Sequence, residues 1–125
     1  MNAPSANEGM RIDLDTHGST TVARLCGSAD MTATEQMKEH LLSLVDSPCE
    51  RIVLDLSGLE FISSEGLGAI IAAHLRCRPR EGRLVLASPP DQIRHLLAVT
   101  RLDRLFAIYD SVEQALRDKP QGPPA

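Results

Sequence analysis

The spacing of apolar and polar residues changes period several times along the chain, and each change marks an element. Met10, Ile12 and Leu14 alternate with Arg11, Asp13 and Asp15, the period-two pattern of a half-buried strand. Thr16 to Ser19 supplies turn chemistry, and a β-prone run from Thr20 to Cys26 follows, so the two predict an antiparallel hairpin. Gly27-Ser28-Ala29-Asp30 is read as its end. From Met31 and Thr32 the period becomes helical, with Thr32 as cap and Glu35 at capping-box spacing. Met37, Leu41, Leu44 and Val45 share one face of this helix, and Ser47-Pro48 stops it.

A short apolar run over 51–56 predicts the next strand, followed by a turn at Ser57-Gly58 and an inward-facing pair, Phe61 and Ile62. Leu67, Ile70, Ile71, His74 and Leu75 then fall at helical spacing, predicting a helix over 64–77. After a loop over 78–82, Leu84 to Ala87 reads as a strand. Ser88-Pro89-Pro90-Asp91 opens a third helix, with Pro tolerated in its first turn and Ile93, Leu96 and Leu97 as its apolar face. Leu105 to Tyr109 predicts a last strand, and Ser111 to Arg117 a last helix capped by Ser111 or Asp110.

The order β-β-α-β-α-β-α-β-α predicts an α/β fold. Its mixed sheet has an N-terminal hairpin and then parallel strands, because right-handed helical crossovers join parallel neighbours. One domain over 10–117 is expected, with 1–9 and 118–125 as flexible tails. Aromatic residues make up only 2% of the chain, with no Trp, so its core is expected to be aliphatic. A formal net charge of −4 argues against a nucleic-acid partner, which needs a basic face. No apolar run approaches the ~20 residues of a membrane span, so no membrane insertion is expected. The first residues, MNAPSANEG, lack the charged and apolar regions of a signal peptide. Cys26, Cys49 and Cys77 have no metal or disulfide spacing, and reduced cytosolic thiols are the simpler reading.

Ser63 and Ser64 stand where the helix over 64–77 needs an N-cap acceptor, and Glu65 puts a carboxylate near its positive end. By spacing alone, a plain capping role for Ser64 ranks ahead of any functional one. Gly66 and Gly68 read as allowing close approach of helix to sheet. His17, His40, His74 and His95 are scattered without ligand spacing, so no metal and no cofactor is expected. Ser63-Ser64-Glu65-Gly66 is not a nucleophile elbow, and no P-loop occurs. Arg76, Arg78, Arg80 and Arg83 form the basic cluster, read as a solvated loop.

The stretch DLSGLEFISSEGLGAII resembles the signature of the STAS domain, in particular the small bacterial anti-sigma factor antagonists. In that family an aromatic, an aliphatic and then Asp-Ser-Ser/Thr-Gly-Leu-Gly follow a strand. Phe61 to Gly68 occupy those places, with Ser63 where the Asp would be and Glu65 where the second Ser or Thr would be. The resemblance covers about Met10 to Arg117 and places the family's phosphorylated serine on Ser64, with Ser63 as the alternative acceptor. Gly27 and Asp30 match the family's Gly-x-x-Asp, which implies that Asp30 joins Ser63, Ser64, Glu65, Gly66 and Leu67 in a partner-binding face. A turn-capping role for Asp30 ranks level with that.

What the resemblance implies is a non-enzymatic cytoplasmic switch. Unphosphorylated, the chain would bind an anti-sigma factor that is also a serine kinase and carries the ATP, releasing a sigma factor. Phosphorylated, it would let go, and a PP2C-type phosphatase would reset it. A homodimer is left open. The rival reading is a phosphorylation-independent STAS scaffold or the soluble subunit of a lipid-transport ATPase. A small enzyme or nucleotide binder finds no supporting constellation.

Overall fold

The six residues from Arg51 to Leu56 are all buried, and the fold is arranged on both sides of them. The computed structural model describes residues 10–29, 31–47, 50–77 and 84–118. Its elements are β1 (Met10–His17), β2 (Thr20–Ala29), α1 (Met31–Val45), β3 (Arg51–Ile62), α2 (Ser64–Arg76), β4 (Leu84–Ala87), α3 (Asp91–Val99), a 3-10 turn (Leu102–Arg104), β5 (Ile108–Tyr109) and α4 (Val112–Arg117). Among the described residues the strands form one five-stranded sheet in the order β1-β2-β3-β4-β5. The β1–β2 pair is antiparallel and each later pair is parallel, as the hairpin followed by αβ alternation requires.

Alternation along β3 assigns its two faces. Ile52, Leu54 and Leu56 point into the main core, where Met37 and Leu41 of α1, Ile70 and Ala73 of α2, and Ile93 and Leu97 of α3 cover them. Val53 points the other way and packs with Val22, Val85 and Ala87 beneath Ala115 of α4. Among the described residues this core is mostly aliphatic, with Met37, Cys77 and Phe106 beside the Leu, Ile, Val and Ala side chains.

The second face also buries two charges, Arg51 and Asp55, each 5% exposed. A buried charge is costly unless partnered. The Arg51 Nη1 donates to the Ala115 carbonyl, and the guanidinium lies 5.9 Å from the centre of the Tyr109 ring. Burial pushes the Tyr109 phenol above its ordinary pKa, helped by its hydrogen bond to Asp118. Asp55 accepts from Arg24 Nε at 3.2 Å and from the Ser57 N–H at 3.0 Å. Both charges help to fasten β3 to its neighbours.

Several boundaries differ from the sequence reading, each for a local reason. Strand β3 does not turn at Ser57-Gly58 but runs on to Ile62. Arg24 pairs with Asp55 and then Cys26 with Gly58, and Gly27 pairs with Leu59 and then Ser28 with Phe61, so β3 carries an extra residue at each of two bulges. The neighbouring strand keeps pairing through the turn-prone residues. Likewise β2 continues past Gly27, which adopts φ +99° at a bulge, and ends at Ala29. Phe61 and Ile62 do not both go inward: Ile62 is buried, while Phe61 is 52% exposed. Adjacent strand residues face opposite sides, so one of the pair had to be outside.

Thr32 is the second residue of α1, not its cap. Both prolines precede α3, which begins at Asp91 with Pro90 in the cap position. The last strand shrinks to two residues because the chain from Leu102 makes a 3-10 turn that buries Phe106 instead of Leu105. On edge strand β1, Ile12 packs against the core but Leu14 is left exposed.

Candidate functional site at the start of α2

Strand β3 hands the chain to α2 through one residue, Ser63, in extended conformation (φ −81°, ψ 170°). Its Oγ accepts the Gly66 N–H at 3.0 Å, and its carbonyl accepts the Leu67 N–H at 2.9 Å. Ser63 is therefore the N-cap, satisfying one of the donors that a helix start leaves open. Ser64 is the first helical residue, and its side chain is exposed. The plain capping role weighed for Ser64 thus falls to its neighbour.

This division explains the departure at Ser63 from the Asp-Ser-Ser motif. Serine and aspartate are both good N-cap acceptors, so the substitution keeps the cap and drops one negative charge. Replacing Ser63 with Ala is expected to lower stability by about 1 kcal/mol, whereas Ser63→Asp should keep most of it. Urea unfolding of the two variants checks this.

The other residues of the expected face separate into two groups. Glu65 is exposed in the first turn, beside Ser64. Gly66 and Leu67 are buried, and Leu67 belongs to the main core. Asp30 lies outside the described residues, as do Cys49, Arg78, Arg80 and Arg83. Arg76 makes a two-pronged ion pair with Asp46, at 3.1 and 3.0 Å. His17 contacts Asp15 at 2.9 Å, and the His74 ring meets Phe106 edge-on at 4.7 Å. Among the described residues no cluster of metal-ligating side chains occurs.

Gly68 does not serve close packing. It is exposed, and a Cβ there would meet nothing within 4 Å. A helical glycine costs about 0.5–1 kcal/mol relative to alanine. Gly68→Ala is therefore expected to raise stability by about that amount, measurable as a higher urea midpoint.

A groove that the sequence reading missed lies beside this site. Glu60 and Phe61 of β3 form one wall, and Asp91, Ile93, His95 and Leu96 of α3 the other, enclosing about 510 Å³. The parity of β3 was the available signal, since it turns Phe61 outward.

An exposed serine, Ser64, thus follows a capped helix start at the end of the central strand β3. The family model for the STAS domain matches residues 11–115. The chain belongs to the STAS domain family. Its relatives include an anti-sigma F factor antagonist of Paenibacillus polymyxa, 26% identical over 110 residues, covering 87% of this chain and 94% of the relative. This STAS domain is also similar to the crystal structure of an anti-sigma factor antagonist from Mycobacterium paratuberculosis, with TM-score 0.79 and 26% identity. That match covers 92% of this chain and all of the other. The Bacillus cell fate determinant SpoIIAA in its phosphorylated form shares the fold, at TM-score 0.67 and 22% identity, covering 86% of this chain and 97% of the other. Among the described residues no helix of the STAS domain is long and apolar enough to cross a membrane.

Proposed function

We propose that this STAS domain is an anti-sigma factor antagonist whose binding is switched by phosphorylation of Ser64. The observation that carries the reading is that Ser64 is exposed at the start of α2 while Ser63 does the capping. A hydroxyl with no part in holding the helix is free to be modified. The relatives named as anti-sigma factor antagonists support the same role.

The chemistry is that of a substrate and binding partner, not of an enzyme. A partner kinase would supply base, Mg²⁺ and ATP. The phosphate would add roughly −1.5 to −2 charges beside the exposed Glu65. The N-terminus of α2 favours negative charge, so the fold survives the modification. The partner's surface gains repulsion and a desolvation cost, and the complex opens. Removal of the phosphate by a PP2C-type phosphatase closes the cycle in the cytoplasm. Ser64, Glu65 and the exposed side of the cap form the contact face, and Asp30 is proposed to join it. Phosphosite mapping on protein from the native host, with Ser64→Ala as control, tests this.

A further inference from the structure

We propose that the groove between the end of β3 and α3 is an anchor site for an apolar, basic-flanked helix of the protein partner; that the partner is the anti-sigma factor rests on the reading above. The groove lies at the carboxyl ends of parallel strands β3 and β4, where open α/β sheets present their binding crevices. Its volume of about 510 Å³ is that of a site for several side chains rather than a single water. Phe61, 52% exposed, stands on one side with Ile93 and Leu96 facing it from α3. A large aromatic left in water beside an apolar depression is what a docking site presents before its partner arrives.

The charges around the groove select among occupants. Among the described residues its charged lining is Glu60 and Asp91, with His95 beside them, and no Lys or Arg of that set takes part. Arg94, on the same helix, is engaged by Asp110 at 3.0 Å. A fatty acid or phospholipid would bring its anionic head against Glu60 and Asp91. A second copy of this chain carries a net charge of −4 and would set acidic rim against acidic rim. An amphipathic segment with Leu-type residues on one face and Lys or Arg beside them meets both the apolar floor and the acidic edge.

The site is also distinct from the switch. Phe61 and Ile62 precede the cap, so a partner seated in the groove is held three residues from Ser64 without covering its hydroxyl through the same contact. Anchoring there would present Ser64 to a kinase active site in a fixed register. Phosphorylation would then act on a contact that the groove has positioned.

The test uses two synthetic amphipathic helices with the same leucine face, one with lysines and one with glutamates on its polar face. They are titrated into the full chain while backbone amide shifts are followed by NMR. The lysine peptide is expected to shift Phe61, Ile93 and Leu96 and to bind at least about tenfold tighter than the glutamate peptide, weakening with salt. Phe61→Ser, an exposed position that leaves the fold intact, and the pair Glu60→Lys with Asp91→Lys should each remove that preference. Equal binding of the two peptides, shifts elsewhere on the surface, or an unchanged affinity in Phe61→Ser overturns the proposal. So does an acyl lipid that co-purifies with the chain and is lost in Phe61→Ser, or a dimer that the same change dissolves. The titration needs no kinase, so the groove can fail while the Ser64 switch stands, and the switch can fail while the groove stands.

Discussion

Ser64→Asp is expected to abolish anti-sigma factor binding, by about 100-fold or more, while leaving stability within about 0.5 kcal/mol of the parent. The two halves of this expectation have separate causes. Stability is spared because Ser64 is exposed, because Ser63 and not Ser64 supplies the capping oxygen, and because a carboxylate in the first helical turn meets the positive end of the helix. Binding suffers because the new charge sits next to Glu65 on the exposed side of the helix start, where a docked surface must desolvate it or face it. Burying a charge without a partner at an interface costs several kcal/mol, which is the size of effect required. Isothermal titration of the anti-sigma factor into each form, paired with urea unfolding, separates the two. Ser64→Ala should bind like the parent, since it removes a hydroxyl and adds no charge. Equal affinity of the Ala and Asp variants would contradict a charge-based switch.

Gly58→Ala is expected to cost about 1–3 kcal/mol, a large effect for one methyl group. The added Cβ would lie 2.9 Å from Cys26 Sγ and 3.0 Å from the Leu25 carbonyl oxygen. The sulfur has some freedom to move, but the backbone oxygen belongs to a strand paired on both sides. Relief therefore has to come from β3 itself, at the bulge that directs its last residues toward Ser63. A drop in the urea midpoint at unchanged slope is the predicted signature. Cys26→Ala in the same background should restore only part of the loss, because the carbonyl contact remains. Unchanged stability would mean that the bulge yields easily.

The architecture was legible because the informative signals were long and repetitive. Alternation in 10–14, helical spacing in 67–75 and the aliphatic run over 51–56 each survive in the structure as β1, α2 and the buried start of β3. What local chemistry could not give was the fate of residues whose role depends on a neighbouring strand. Ser57 and Gly58 read as a turn, yet β2 pairs across them, and the glycine is needed for closeness of two strands rather than for a reversal of the chain. The groove was hidden for the same reason, since pairing an aromatic with an aliphatic residue suggested a core position for both.

The site was legible as a place before it was legible as an arrangement. The motif brought attention to Ser63 and Ser64, but both are serines at a helix start, and spacing alone does not distinguish a cap from its neighbour. The distinction came from the Ser63 hydroxyl lying 3.0 Å from the Gly66 nitrogen. Leu67, by contrast, carries the helical apolar period that the sequence displayed, and that period fixes it in the core.

Site-resolved mass spectrometry of the protein purified from its native host under several stress conditions decides whether Ser64 is a phosphorylation switch. A phosphate on Ser64 is expected, present in some conditions and absent in others, and lost in Ser64→Ala. An unmodified Ser64 in every condition, while the anti-sigma factor still co-purifies and leaves under stress, would contradict it.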